Sequence, residues 1–231
     1  MSYYFGTDTN NGTPFPDCGS TSHFYIGRLG GETTSGGGGF DDTAASDAGA
    51  LHAFAYWDLA GPTSAPSGST YTEWGKSQAE AFYTTWENQS AAKGTTLFAD
   101  IEPLNGGWLD GGSAADQASN QDVLYGFLNY LHGKVEPGIY IGEYYWNTYF
   151  GSTYGSPVPF VLWLADPPCI TDCSTVESTF PTTVLGGYRT MIWQYWAAGS
   201  KAEDGCGTSP DQDLDATPYN GFLDGTWHPT T

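Results

Sequence analysis

A short stretch, Leu97-Phe-Ala-Asp-Ile-Glu102, ends an apolar run with two carboxylates. Because successive side chains of a β-strand point to opposite faces, Asp100 and Glu102 are expected to share one face of a strand. Two neighbouring carboxylates repel each other when both are ionised, so one of them is expected to keep its proton near neutral pH. Such an acid can protonate the leaving oxygen in glycoside hydrolysis. The alternative is a pair of carboxylates that caps the following helix or binds an ordered cation.

Eight segments rich in aromatic and aliphatic residues predict strands at regular intervals, and several of them contain nearly continuous apolar runs. Such runs are typical of strands that are covered on both faces, as in a parallel sheet. The predicted strands are Tyr3–Asp8, His23–Leu29, Ala50–Trp57, Thr95–Glu102, Gly138–Tyr144, Phe160–Asp166, Met191–Trp196 and Gln212–Ala216.

Helical periodicity lies between the strands of the first half of the chain. Apolar residues recur with a helical period over residues 72–92 and 114–134, and a shorter helix is predicted at Asp41–Ala48. After Gly138 the helical signal fades, and the connections carry Gly, Pro and Cys instead. Alternating strands and helices predict an α/β fold, either a β/α barrel or a doubly wound sheet.

The turn after the first strand separates these two architectures. A dinucleotide-binding sheet would place a Gly-rich turn there, whereas this chain has Asp8-Thr-Asn-Asn-Gly-Thr-Pro14. A barrel gathers functional groups at the carboxyl ends of its strands. We therefore predict one catalytic domain over residues 1–231, a single irregular TIM-like β/α barrel with helices mostly in its first half. Carboxylates at its predicted strand ends are Asp8, Asp100, Glu102, Glu143, Asp166 and Asp213.

The charge balance excludes two classes of partner. The chain of 231 residues carries 26 Asp plus Glu against 6 Lys plus Arg, a formal net charge of −20. Nucleic acids and anionic membrane surfaces are bound through basic residues, so neither is expected as a partner. The same charge argues against an anionic substrate such as a bacterial wall. We expect the protein to act as a monomer.

The cysteines bear on the cellular compartment. Of the three possible pairings, we favour Cys18–Cys206 and Cys169–Cys173, because the second pair is close in sequence. Cysteines in polar loops rich in Gly and Pro fit an oxidising compartment, and four reduced cysteines are the alternative. The sequence begins without the basic and apolar regions of a signal peptide. We expect a secreted protein whose leader is absent from this sequence.

Six short motifs follow one another along nearly the whole chain: Phe5-Gly-Thr-Asp8, Phe98-Ala-Asp-Ile-Glu102, Gly138-Ile-Tyr-Ile-Gly142, Leu162-Trp-Leu-Ala165, Ile192-Trp-Gln-Tyr195 and Asp213-Leu-Asp215. In this order and spacing they resemble glycoside hydrolase family 25, the lysozyme-type muramidases, and the related glycoside-hydrolase-like domains. The barrel of that family is also irregular, with few helices after its fifth strand.

The resemblance implies roles for four carboxylates. Glu102 would be the general acid, and Asp100 would tune it and help to position the substrate. Asp8 and Asp213 would complete an acidic floor from the first and last strands. The implied substrate is a polysaccharide, a β-1,4-linked N-acetylhexosamine polymer such as peptidoglycan, and no metal or organic cofactor is implied. Substrate assistance, a carboxylate nucleophile and an inverting water all stay open as routes.

Aromatic residues near strand ends suggest a groove for sugar rings. We expect Tyr56, Tyr144 and Trp196 to line it, the alternative being that such rings belong to the core. Arg28 resembles the arginine of the second strand in the broader hydrolase-like group, whose members need not be muramidases. The rival functions are therefore a glycosidase for chitin or a galactosamine polymer, and an inactive carbohydrate-binding barrel.

Overall fold

The computed structural model describes residues 4–9, 24–31, 52–89, 93–103, 106–165, 173–196 and 213–218. Within these ranges the chain forms nine strands, four α-helices and a 3-10 helix at Pro62–Ser64. The strands are β1 (Tyr4–Thr9), β2 (Phe24–Gly31), β3 (His52–Asp58), β4 (Lys93–Asp100), β5 (Glu136–Ile141), β6 (Val161–Ala165), β7 (Val184–Leu185), β8 (Tyr188–Trp196) and β9 (Asp213–Thr217). The helices are α1 (Tyr71–Glu87), α2 (Ala114–Leu131), α3 (Glu143–Tyr149) and α4 (Cys173–Thr179).

The strands pair into one mostly parallel sheet. β1 to β6 lie side by side in chain order and run in the same direction. β6 also pairs in parallel with β8, and β9 lies antiparallel between β8 and β1. The pairings therefore lead through eight strands and back to β1. The predicted α/β class is confirmed, and each of the eight predicted strands overlaps an observed strand.

The two faces of the sheet bury different partners. One face packs against the helices, and alternate residues of β4 such as Leu97 and Ala99 lie in that layer. The other, the inner face, holds a second apolar cluster made of strand residues. There the ring centroid of Trp163 on β6 lies 5.4 Å from that of Phe98 on β4 and 6.4 Å from that of Tyr56 on β3. Because rings from strands that are not neighbours meet, the sheet curves around its inner face.

Both long predicted helices are present. On α1 the predicted stripe of Trp74, Phe82 and Trp86 is buried against the sheet. The helix begins after Thr70, whose side chain accepts a hydrogen bond from the backbone N–H of Glu73 at 3.2 Å. The Glu73 carboxylate in turn accepts from the backbone N–H of Thr70 at 2.9 Å, which completes a capping box. Among the described helices, none is both long enough and apolar enough to cross a membrane.

The second half of the chain contains two short helices where the sequence predicts a strand end and loops. β5 ends at Ile141, three residues before the predicted end at Tyr144, and Gly142 caps the beginning of α3. α3 and α4 have 7 residues each, about two turns, which is too short for a clear helical period. The predicted helix at Asp41–Ala48 lies outside the described residues.

Two glycines allow α1 and α2 to pack closely. A Cβ added to Gly75 on α1 would overlap the carbonyl oxygen of Val123, and one added to Gly126 on α2 would overlap that of Thr72. Each glycine therefore faces the backbone of the other helix. This contact holds the two helices together as one layer over the outer face of the sheet.

Gly75→Ala is expected to lower the free energy of unfolding by about 1–3 kcal/mol, because the added methyl group overlaps backbone atoms. In an open helix the same substitution raises stability by about 1 kcal/mol, so the sign of the change is diagnostic. Urea unfolding followed by circular dichroism measures it. Gly112→Ala is the control, because a Cβ there meets no atom within 4 Å. Unchanged or higher stability of Gly75→Ala would contradict the close helix contact.

Candidate active site

The predicted carboxylate pair lies where β4 leaves the sheet. β4 ends at Asp100, which is buried and alternates with Phe98, so its side chain lies on the inner face. Ile101 is buried in the outer layer, and its backbone N–H still donates to the carbonyl oxygen of Tyr140 at 3.0 Å. Glu102 follows beyond the strand and is half-buried. The alternation predicted from the sequence thus holds as far as Ile101, and a shared face for Asp100 and Glu102 stays a prediction.

Four buried aspartates gather at this end of the sheet. Asp8, Asp58 and Asp100 lie at the carboxyl ends of β1, β3 and β4. Asp215 is the third of the five residues of β9. Its register partner Gln194 pairs in turn with Ala165, the last residue of β6, which brings Asp215 to the same end. Since parallel strands present their carboxyl ends together, one rim of the sheet collects all four side chains.

Asp8 belongs to a hydrogen-bonded chain across the inner face. The side-chain amide of Gln194 on β8 donates from Nε2 to Oδ2 of Asp8 at 3.2 Å. The hydroxyl of Tyr140 on β5 donates to Oε1 of the same amide at 2.8 Å. All three side chains are buried. The sequence motifs contain Tyr140 and Gln194, but sequence reasoning gave neither of them a role.

The last strand carries two aspartates, and the predicted role of Asp213 stays a prediction. Asp213 pairs in register with Asp8 on the neighbouring strand, and the structure describes its backbone alone. Asp215, two residues later, is fully buried and accepts a hydrogen bond from Nε1 of Trp163 at 2.8 Å. The predicted motif Asp213-Leu-Asp215 contained both aspartates, and period-two alternation would have found the second one.

A positive charge lies among these carboxylates. Arg28 on the inner face of β2 forms an ion pair with Asp58, and its side chain is 36% exposed. Sequence reasoning missed Asp58 because the predicted strand ended at Trp57, one residue earlier. The signal was available, since Asp58 is a carboxylate at a strand end in the same way as Asp100.

Tyr56 lies beneath the carboxylates. Its pKa is raised well above the ordinary value, first by burial and then by the negative charges of Asp100, Asp8 and Asp58, while Arg28 acts in the opposite direction. Its ring lies edge-on to Trp163 in the inner cluster. This buried position corresponds to the alternative that the sequence left open, a ring of the core, and a role in binding sugar stays a prediction.

The other two predicted groove residues lie after β5 and at the end of β8. Tyr144 is in the first turn of α3, with 72% of its surface exposed. It begins a row of aromatic rings: Tyr145 lies 5.2 Å from it, Tyr149 stacks on Tyr145 at 5.7 Å, and Trp108 stacks on Tyr149 at 5.8 Å. Trp196 is the last residue of β8, and the structure describes its backbone alone.

The predicted disulfides lie largely outside the described residues. Cys173 is the first residue of α4 and only its backbone is described, while Cys18, Cys169 and Cys206 fall outside the described ranges. Both pairings stay predictions.

The rim beside Asp100 is held by hydrogen bonds between two loops. The backbone N–H of Leu59 donates to the carbonyl oxygen of Asp100 at 2.9 Å, and Gly61 donates to Gly106 at 3.1 Å. The fully buried amide of Gln78 on α1 bonds both backbone groups of Ala60, at 2.9 and 3.0 Å. The loops after β3 and β4 are therefore positioned by α1 and by each other.

The chain is similar in structure to known lysozymes. The bacterial lysozyme from Streptomyces coelicolor superposes with a TM-score of 0.57 at 18% identity, covering 98% of this chain and all (100%) of that one. The muramidase from Acremonium alcalophilum gives 0.58 at 16%, with 96% and 99% covered. A family GH25 lysozyme from Aspergillus fumigatus gives 0.50 at 19%, with 92% and 93% covered. No protein-family model and no curated protein sequence matches the chain.

These similarities define the class of fold, that of the lysozymes and muramidases. More particularly, the chain has the α/β fold of glycoside hydrolase family 25, and the resemblance stated from the six sequence motifs is confirmed at this level.

Trp163→Phe is expected to lower the free energy of unfolding more than Trp57→Phe does, because it leaves buried Asp215 without its indole donor. The expected difference between the two variants is about 1–3 kcal/mol. Trp57 is the matched control, since it is equally buried and its Nε1 has no hydrogen-bond partner. Both substitutions remove the same volume. Urea titrations of the two variants measure the difference, and equal losses would contradict a stabilising Trp163–Asp215 bond.

The raised pKa of Tyr56 predicts a loss of stability in alkali. Because the folded pKa exceeds the ordinary value of 10.0, the unfolded chain releases the proton first, so stability is complete below pH 10.0 and falls as the pH rises above it. Tyr154, whose pKa burial raises to about 12, adds to the same loss. Tyr56→Phe should therefore flatten the fall in melting temperature that begins above about pH 10.

Tyr144→Phe, at an exposed position, is the control for this measurement. A Tyr56→Phe variant whose melting temperature falls as steeply as that of the wild type would show that Tyr56 ionises equally in the folded and unfolded chains.

Proposed function

We propose that the protein is a glycoside hydrolase whose active centre is the carboxylate-rich rim of the sheet. The observation that supports this best is that four buried aspartates lie at one end of the strands: Asp8, Asp58, Asp100 and Asp215. Glu102 follows Asp100 by two residues at the same end. Burying several carboxylates together is costly, and such clusters are typical of catalytic sites. In addition, the lysozymes and the muramidase that share this fold are named for glycosidase activity.

In this proposal Asp100, the last residue of β4, and Glu102, two residues later, have different roles. Glu102, half-buried beyond the strand, is the general acid that protonates the leaving oxygen. Asp100, buried on the inner face, tunes Glu102 and positions the substrate. Asp8 and Asp213, register partners on neighbouring strands, form the acidic floor that faces the positive charge developing on the sugar ring.

The proposed substrate is a β-1,4-linked N-acetylhexosamine polymer, with peptidoglycan as the first candidate. Muramidases and lysozymes of the same fold favour this choice. Sugar rings would stack on exposed aromatic faces beside the rim. Tyr144 is the best-supported of these because it is exposed and follows β5 directly. Trp196 at the end of β8 and Tyr56 beneath the rim complete the proposed groove.

A second candidate is a glycosidase for another amino-sugar glycan, such as chitin or a galactosamine polymer. The formal net charge of −20 favours it, since peptidoglycan walls are themselves anionic. Arg28, which lies among the carboxylates, is already paired with Asp58. An inactive barrel that binds carbohydrate is the third candidate.

We further infer that the eight paired strands form an irregular TIM-like β/α barrel and that residues 1–231 are one catalytic domain. The pairing of β6 with β8 and the self-packed inner face support the barrel. A secreted, monomeric protein with the disulfides Cys18–Cys206 and Cys169–Cys173 completes the proposal.

Glu102→Gln is expected to lower hydrolysis at least about 100-fold, because glutamine keeps the shape of the side chain but has no proton to give. New reducing ends are measured on peptidoglycan, chitin and a galactosamine polymer. Glu136→Gln is the matched control, since Glu136 is also half-buried but lies at the beginning of β5, the opposite end of the sheet.

The three substrates separate the candidates. If the wild type and Glu136→Gln hydrolyse one of the glycans and Glu102→Gln does not, the result identifies both the general acid and the substrate. Full activity of Glu102→Gln refutes the assigned acid. Wild-type protein that binds a glycan without cleaving any of the three favours the inactive barrel.

A further inference from the structure

We propose that Gln194, held by Tyr140, is a positioning residue that keeps Asp8 in place as a hydrogen-bond acceptor facing the substrate. This rests on the proposed function, because it assigns how one carboxylate of that site is held. The three side chains come from β5, β8 and β1, and all are buried.

The hydrogen bonds fix which way the amide of Gln194 points. Tyr140 donates its hydroxyl proton to Oε1 at 2.8 Å, and Nε2 donates to Oδ2 of Asp8 at 3.2 Å. Turning the amide over would put its carbonyl oxygen against a carboxylate oxygen, and two acceptors repel. The carboxylate of Asp8 therefore selects the orientation in which the NH2 group faces it, and the phenol of Tyr140 supplies a donor to the buried carbonyl oxygen on the other side of the amide.

This arrangement gives Asp8 one task. A hydrogen bond donated to a charged carboxylate is stronger than one to the neutral acid, so the amide favours the carboxylate form of Asp8 and holds the oxygen it contacts. In the proposed function, the carboxylate held in this way faces the positive charge that develops on the sugar ring. Glu102, at the end of β4, is left as the proton donor. The contacts thus support different roles for the two residues, with Glu102 as the acid and Asp8 as the carboxylate that stabilises positive charge.

The bond from Gln194 to Asp8 crosses the interior and is separate from strand pairing. β9 lies between β8 and β1, and the backbone register pairs Gln194 with Asp215 and Ala165, not with Asp8. Removing the amide therefore leaves the backbone ladder of β8 intact. Among the described residues, the ionisable groups beside this position include Asp8, Asp215 on β9 and Tyr140 on β5, and Asp8 in turn interacts electrostatically with Tyr56 on β3, as does Asp100.

Gln194→Met is expected to lower kcat about 10- to 100-fold while KM stays within about 3-fold, because it keeps the volume and loses both hydrogen bonds. Tyr140→Phe keeps the amide and its bond to Asp8 but removes the donor to the amide oxygen, so a smaller fall in kcat is expected. Gln121→Met is the control: Gln121 lies on α2, in the helical layer over the outer face of the sheet, and its amide donates to the carbonyl oxygen of Phe150 at 2.7 Å. That variant should keep the wild-type kcat.

Gln194→Glu adds a readout that a merely structural role would not move. A protonated Glu at this position can donate to Asp8 as the amide does, whereas an ionised Glu repels it. The kcat of this variant should approach that of the wild type in acid and fall steeply toward neutral pH. The wild type and Gln121→Met should lack this fall.

The outcomes separate this proposal from the function on which it rests. If the wild type is active, Glu102→Gln is inactive and Gln194→Met keeps its kcat, this proposal alone is overturned. A Gln194→Glu variant with the pH profile of the wild type overturns it as well. If the wild type cleaves no glycan, the proposed function fails and this proposal fails with it.

Discussion

The indole of Trp163 joins strands that the sheet keeps apart. Its ring lies 5.4 Å from Phe98 on β4 and 6.4 Å from Tyr56 on β3, and its Nε1 donates to Asp215 on β9 at 2.8 Å. Helices cover the outer face of the sheet, so side chains from the strands themselves must fill the inner face. A sheet filled in this way leaves room for polar groups at its ends, and the carboxyl end is where this chain places its aspartates.

The low count of basic residues shapes how those aspartates are held. With 6 Lys plus Arg in the whole chain, cations are scarce, and Arg28 pairs with Asp58 at the rim. Asp8 and Asp215 are held by neutral donors instead, an amide and an indole. Neutral donors satisfy a carboxylate without cancelling its charge, so the rim stays negative. A negative rim suits a reaction in which positive charge develops on a sugar ring.

The fold class could be predicted from the sequence because buried strands and long amphipathic helices leave clear periods. The stripe of Trp74, Phe82 and Trp86 is an example, and it packs as its spacing predicts. The two seven-residue helices of the second half were not predicted, because two turns are too short to show a helical period of apolar residues. The parallel order of β1 to β6 follows from the alternation of elements, but the antiparallel place of β9 has no local signal.

The candidate site was predictable in part. Asp8 and Asp100 were found as strand-end carboxylates, and Asp58 was missed by one residue at a predicted strand boundary. Gln194 and Tyr140 carry no charge, and their link to Asp8 joins positions 186 residues apart in the chain, so no local pattern contains it. Such contacts depend on how the strands are arranged around the inner face.

The central claim is that this rim cleaves the glycosidic bonds of an amino-sugar polymer. Mass spectrometry of the soluble fragments released from insoluble peptidoglycan, chitin and a galactosamine polymer tests it most directly. We expect one polymer to yield fragments that each carry a new reducing end, and the Glu102→Gln protein to release none. Intact polymers after prolonged incubation with the wild-type protein, or identical fragments from both proteins, would contradict it.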